Sequence, residues 1–173
     1  CMSSMLDQPL HTVPFVLFDL ESTGLDVQAG HRICEIAALR VQGHSVQGRF
    51  EQLVNPERDI DPAAYAVNGI SQAMVNNAPP FRDIWQQFAP MLDGAVLVAH
   101  NAYFDIGFLT TQLAELNLPP LPNMVVDTLA LARRYITARR YNLTALALSL
   151  GERAPTHRAM SDVNALRPVF EHL

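Results

Sequence analysis

Lysine is absent from this chain, and all twelve of its basic side chains are arginine. Every fixed positive side-chain charge is therefore a planar fork of N–H donors, a shape that matches phosphate and carboxylate oxygens. Cysteine is scarce too. Cys1 and Cys34 stand far apart, and two cysteines so placed make neither a disulfide framework nor a zinc site. No apolar run reaches the roughly 20 residues of a membrane span. The chain does not open with a basic stretch followed by an apolar one, as a signal peptide would. Internal repeats, low-complexity tracts and interdomain linkers are also missing. These absences point to a cytoplasmic protein, with Met2 as its natural start and Cys1 as an extra residue before it. Residues 1–12 are expected to be a flexible N-terminus, and residues 13–173 a single domain. Nearly half of the residues are apolar, which provides a sizeable core and argues against disorder.

Positive charge is short overall. A net charge of −5 argues against a nucleic-acid partner, which calls for a basic face. The distribution says more than the sum. Residues 1–127 carry 14 acidic and 5 basic side chains, a balance of −9, while residues 128–173 carry 3 and 7, a balance of +4. Arg133, Arg134, Arg139, Arg140, Arg153 and Arg158 all lie in the second stretch, either as a phosphate-facing set or as a solvated helix face.

Residues 13–20 are an apolar run of strand length, closed by Ser22-Thr23-Gly24 as by a turn. Residues 31–41 and 45–54 follow with strand patterning and short linkers, as in an antiparallel meander. Asp61-Pro62 opens a short helix over 63–67, which Asn68-Gly69 ends. Phe81, Ile84, Trp85, Phe88 and Leu92 recur at helical spacing over 80–92, and this stripe reads as core rather than as a platform for bases. Residues 95–99 are a wholly apolar strand, as in a sheet covered on both faces. Ile106, Leu109, Leu113 and Leu116 mark a helix that stops before Pro119-Pro120. A fifth strand is expected over 124–126, with helices over 128–135, 143–150 and from 159 onward. The pattern predicts an α/β protein with a mixed five-stranded sheet flanked by helices.

Asp19 and Glu21 are two residues apart and so point to one face of the first strand. At the end of a buried strand such a pair is costly unless a cation or a shared proton sits between them; otherwise one of the two faces solvent. Asp105 opens a helix just past the fourth strand. It reaches the same sheet edge if the first and fourth strands are parallel neighbours, and that edge is where sites form in open α/β sheets. Taken alone, it reads equally as a charge favoured by a helix N-terminus. Asp162 lies on the last helix, five positions after His157. Four carboxylates in one crevice could not all stay ionised without strong cations. Hard divalent ions, Mg²⁺ or Mn²⁺ ahead of Zn²⁺, suit such oxygen ligands. Two such ions about 3.5–4 Å apart are a known device for in-line displacement at phosphorus.

Three segments stand in a telling order. They are Asp19-Leu20-Glu21-Ser22-Thr23-Gly24, then residues 100–109 (HNAYFDIGFL), then His157-Arg158-Ala159-Met160-Ser161-Asp162 with Val163, Asn164 and Ala165 after it. Residues 127–133 (DTLALAR) connect the last two. In these motifs the chain resembles the DEDD-superfamily 3′→5′ exonucleases of the histidine branch, the DnaQ-like group. That group includes the proofreading epsilon subunit of bacterial replicative DNA polymerase. The likeness covers nearly the whole chain. A sister branch has Tyr four positions before the last Asp; here that position is Arg158, and His157 stands five before. One departure is Asn68-Gly69-Ile70-Ser71, where many relatives carry His-Gly-Ile.

The resemblance implies a ribonuclease H-like fold and a metal-dependent exonuclease that releases nucleoside 5′-monophosphates from single-stranded DNA, with RNA as the alternative. It implies that Asp19, Glu21, Asp105 and Asp162 hold two Mg²⁺ ions, for which Mn²⁺ can substitute, and that His157 is the general base. Ser22 and Thr23 are then expected to meet the terminal sugar, and Leu25 and Phe104 its base. The implied partners are the 3′ ends of single-stranded DNA or RNA, together with a DNA polymerase if the chain is an accessory subunit, and no membrane. The chain stops soon after the third motif, so a stand-alone enzyme is expected ahead of a subunit held by a further tail.

Overall fold

β1, Pro14–Ser22, lies at the centre of the sheet because most of its length is apolar on both faces. The structure is a computed structural model that describes residues 7–173. β2 (Ile33–Gln42) and β3 (Ser45–Leu53) continue from β1 as an antiparallel meander. β4 (Val96–Ala99) and β5 (Val125–Asp127) add parallel strands on the other side, giving the order β3-β2-β1-β4-β5. The helices are α1 (Pro62–Asn68), α2 (Gln72–Asn76), α3 (Phe81–Phe88) and α4 (Ala102–Glu115), followed by α5 (Thr128–Tyr135), α6 (Leu143–Ser149) and α7 (Ala159–His172). This is the mixed five-stranded sheet with flanking helices that the strand and helix pattern predicts.

Alternation along β1 sorts its side chains between two layers. Val16, Phe18 and Leu20 join Ile36 and Leu97 in a core closed by Ile84 and Phe88 of α3 and by Phe108 and Leu109 of α4. Leu17 packs on the opposite face with Ala37, Leu39 and Val98, against Met160, Val163 and Leu166 of α7. Asp19 and Glu21 continue the Leu17 face. Strand geometry alone thus turns both carboxylates toward α7.

β4 pairs with β1 only as far as Leu17 and Val98, and it ends at Ala99. The chain turns through Asn101, in the left-handed region at φ 64°, and enters α4 beside the carboxyl end of β1. Asn tolerates that backbone conformation better than most residues. The amide of Leu20, which β4 no longer reaches, donates to Asp105 Oδ1 at 3.0 Å.

Several boundaries differ from those the sequence predicts. β1 runs on to Ser22, because Glu21 and Ser22 still pair with β2. The register slips there: Glu21 lies opposite Glu35 and Ser22 opposite Ile33, so Cys34 is the extra residue of a bulge. Cys34 is a free, buried thiol. The helix expected over 80–92 ends at Phe88, and Ala89–Leu92 tighten into a 3₁₀ turn around Pro90, which has no N–H to continue the α-helical ladder. α2 is too short to show a period in sequence. Ser71 caps it, its hydroxyl accepting from the Met74 amide at 3.3 Å. Leu10–Thr12 form a 3₁₀ turn, and the Gln42 side-chain amide donates to the Thr12 carbonyl. For residues 1–6, the expected flexibility and the reading of Cys1 and Met2 lie outside the described residues. Among the described residues no helix is long and apolar enough to cross a membrane.

Gly24 follows β1 directly beneath the His31 ring, and a Cβ there would come within 2.3 Å of it. The ring is held on both sides, by Thr23 Oγ1 at 3.0 Å and Asp61 Oδ2 at 3.4 Å, so it cannot swing aside without losing both. Gly24→Ala is therefore expected to lower the free energy of unfolding by about 1–3 kcal/mol, as overpacking of a tight site does. Urea titration measures this, and a midpoint equal to the parent's would show that the ring yields freely.

Candidate active site

Four acidic side chains arrive at the carboxyl end of β1 from three elements. Asp19 and Glu21 come from β1, Asp105 from the first turn of α4, and Asp162 from the first turn of α7. Asp19, Glu21 and Asp162 each present an oxygen within 4.8 Å of the other two. Asp105 stands outside that trio but lines the same cleft as Asp19 and Glu21. The cleft has a volume of about 570 Å³, and its walls include Ser22, Gly24, Leu25, Asn68, His100 and Phe104.

Burial and mutual repulsion disfavour the charged forms. Burial, then the charges of Asp105, Glu21 and Asp162, hold the Asp19 carboxyl well above the usual range. Burial, then the Asp162 charge, raises Glu21 to about 8 against a lowering hydrogen bond from Asn68. Asp105 is raised to about 8 by burial, although the Leu20 amide favours its ionised form. Asp162 is raised to about 6, again by burial, with the His157 charge and backbone amide opposing the shift. Asp19 Oδ2 is buried and has no hydrogen-bond partner among the described residues. Three carboxylates with oxygens within 4.8 Å of one another, one of them carrying a buried oxygen without a partner, form the all-oxygen donor set that a hard divalent cation needs, and the trio contains no sulfur or imidazole.

Three of the four predicted carboxylates thus converge within ligand spacing, and the fourth, Asp105, lines the cleft with two of them, Asp19 and Glu21. His157 lies on the loop before α7 with φ 58°; its side chain is exposed and its backbone N–H donates to Asp162 Oδ1 at 3.0 Å. Ser22 borders the cleft, but its hydroxyl donates to the Gly24 carbonyl at 2.6 Å. Thr23 is fully buried beneath it, with Oγ1 between His31 Nδ1 and the Arg32 amide. Leu25 projects from the rim, 86% exposed, and Phe104 is half-buried in the same wall.

Sequence reasoning overlooked Glu35. It lies opposite Glu21 in the β1–β2 pair, so both face α7, and direct opposition of like charges is unfavourable. Arg158 answers this. Its Nε and a terminal nitrogen donate to the two Glu35 oxygens at 3.0 and 2.5 Å, and the Ala159 amide adds a third bond at 2.8 Å. Glu35 is only 2% exposed, so this clamp fastens the first turn of α7 to the sheet. The available signal was a lone acid within the apolar run ICEIAAL. Asn68 is also more than a departure from His-Gly-Ile, since its side-chain amide is buried in the cleft wall and donates to the Ser22 carbonyl at 3.4 Å. His100 is held between the Tyr141 carbonyl at 2.8 Å and Thr128 Oγ1 at 2.9 Å, and burial lowers its pKa.

Residues 16–170 match the RNase T family model, described as exonuclease. The chain belongs to this exonuclease family. Within it, the chain falls in the DnaQ-like 3′→5′ group with its ribonuclease H-like fold. The exonuclease chain is 41% identical to the DNA polymerase III subunit epsilon-like protein of Rhodobacter capsulatus, over 99% of its own length and 25% of that protein's. It is 36% identical to the DNA polymerase III subunit epsilon of Rickettsia felis, over 91% of its own length and 72% of that protein's. Among solved structures, exonuclease X in complex with 5′ overhanging duplex DNA aligns at a TM-score of 0.71 and 28% identity, covering 91% of this chain and 92% of that one. The chain thus spans a quarter of one relative and most of the other two.

Two expectations follow. Burial raises Glu21 and Asp105 to about 8 and Asp162 to about 6, from ordinary values of 4.5 for Glu and 3.8 for Asp. Between the unfolded and folded values the folded chain binds more protons, so stability falls as pH rises. The melting temperature of the metal-free protein should therefore drop from about pH 5 to about pH 8, and saturating Mn²⁺ should remove most of that slope. A flat metal-free profile would contradict the packing of these acids. Separately, Glu35→Gln strips the charge partner from Arg158. Because the Arg158 side chain is 39% exposed, the loss is expected at the low end of the about 3–5 kcal/mol typical of broken buried pairs. Denaturant unfolding reads it, and the Glu35→Gln/Arg158→Gln double variant should lose less than the two single losses combined.

Proposed function

We propose that residues 13–173 are the catalytic unit of a metal-dependent 3′→5′ exonuclease that removes nucleoside 5′-monophosphates from the 3′ end of single-stranded DNA. The observation that carries this reading is Asp19 Oδ2, buried without a partner among the described residues at the meeting point of Glu21, Asp105 and Asp162. These four carboxylates would hold two Mg²⁺ ions, with Mn²⁺ as a substitute. Bound there, such ions supply Lewis-acid activation of a water and neutralise charge on the leaving 3′ oxygen.

The chain's own residues do the rest. His157 acts as general base, an imidazole nitrogen taking the proton of the attacking water. Its backbone amide is tied to Asp162, so the loop is anchored to the carboxylate cluster while the exposed imidazole stays free to turn. The cleft suits one nucleotide in size. Ser22, at the end of β1 and on the cleft wall, meets the terminal sugar, and Leu25 and Phe104 pack against its base; Thr23, expected from the sequence to share the sugar contact, is fully buried with its hydroxyl held by His31 and Arg32, and instead supports the end of β1 from beneath. These contacts grip backbone and ring faces rather than base edges, so sequence preference is low. DNA is favoured over RNA by the names of the polymerase relatives and by the duplex DNA bound to exonuclease X. The same names support a second reading, in which the unit works attached to a DNA polymerase.

A 5′-labelled single strand is expected to shorten one nucleotide at a time, and a 3′-phosphorylated strand to resist. Internal cuts in a circular single strand would overturn the exonuclease reading. His157→Ala should slow single-turnover hydrolysis by about 10²–10⁴, the usual loss on removing a general base, while calorimetric Mn²⁺ binding stays near the parent's. A rate within threefold of the parent's would remove His157 from the mechanism.

A further inference from the structure

We propose that the strand leading to the scissile bond runs over the connection between α5 and α6, where Arg133, Arg134, Arg139 and Arg140 hold its phosphates and Tyr135 stacks on a base. This deepens the nuclease reading and rests on it. Seven of the twelve arginines are engaged within the fold. Six pair with carboxylates, and Arg40 donates to the Met91 and Asp93 carbonyls. The other five make no ion pair or hydrogen bond among the described residues, and all five fall between positions 133 and 153. Arg153 borders a separate hollow beside Glu51 and Arg158. The remaining four are exposed and flank a single short connection.

That connection is fastened to the cleft. The Tyr141 carbonyl accepts from His100 Nε2 at 2.8 Å, and His100 is part of the cleft wall. Arg133 lies close enough for its charge to act on the His100 ring. Arg134 stands 5.5 Å from the centre of the Tyr135 ring, which is 65% exposed. Forked cations beside an exposed aromatic ring are the elements of a single-strand track, the cations following phosphates and the ring taking a base face. The charge balance supplies the reason for a track. The cleft presents carboxylates, and residues 1–127 carry a balance of −9, so a polyanionic strand is repelled except where unpaired arginines border its path. An acidic protein surface is the competing occupant.

The test compares the parent with an R133Q/R134Q/R139Q/R140Q variant. Fluorescence anisotropy of a 5′-labelled strand of about ten nucleotides, in chelator across a salt series, reads the track without turnover. The variant is expected to bind about tenfold more weakly, with a salt slope flatter by about 0.7 for each phosphate that is no longer neutralised. Hydrolysis of the p-nitrophenyl ester of thymidine 5′-monophosphate, which has no upstream phosphates, should be equal in the two and also shows that the variant is folded. Equal binding and an equal salt slope would overturn the track and assign the arginines to an acidic protein partner. Binding that weakens as expected without ester hydrolysis in either protein would keep the track and reject the nuclease chemistry.

Discussion

Repulsion among buried carboxylates is the constraint to which the polar structure around this cleft answers. Asp19, Glu21, Asp105, Asp162 and Glu35 meet where the sheet ends, and burial weakens the water that would otherwise screen them. Each neighbour carries part of the load. The Leu20 amide serves Asp105, the His157 amide serves Asp162, Asn68 serves Glu21, and Arg158 with the Ala159 amide serves Glu35. Among the described residues only Asp19 Oδ2 is both fully buried and without a hydrogen-bond partner. The fold tolerates the cluster by satisfying every fully buried side-chain polar atom of the described residues except the one that a cation would satisfy best.

Much of this was legible in the sequence. Period-two alternation placed Asp19 and Glu21 on one face, and the apolar run AVLVA correctly announced a strand covered on both sides. The sequence made the place of Asp105 conditional on parallel pairing of β1 with β4, and that pairing, once formed, carries Asp105 to the right edge. Glu35 was not legible because its importance depends on register. Its place opposite Glu21 follows from a meander whose turn geometry, and whose bulge at Cys34, no local pattern discloses. The His31 contacts with Thr23 and Asp61 were hidden for the same reason, since three segments meet there through loops. Helix ends were misplaced where a single residue, such as Pro90 or Ser71, overrides periodicity.

Arg158 illustrates how a sequence count misleads without geometry. It belongs by position to the basic C-terminal stretch, yet it turns inward to Glu35 and leaves the surface charge to its neighbours on the α5–α6 connection. Among the described residues, the contrast between arginines with a partner and those without one marks out a surface that the summed charge conceals.

The arrangement of the acids along the chain also sets the order in which the cluster can come into being. β1 emerges first during synthesis, but Asp162 follows 143 positions after Asp19 and takes its place only when α7 docks through Glu35 and Arg158. A nascent chain therefore holds three of the four clustered carboxylates, without the one that α7 contributes, until α7 has left the ribosome. Any chemistry that requires all four acids together is withheld from an unfinished polypeptide, and the delay is written into the spacing of the carboxylates themselves.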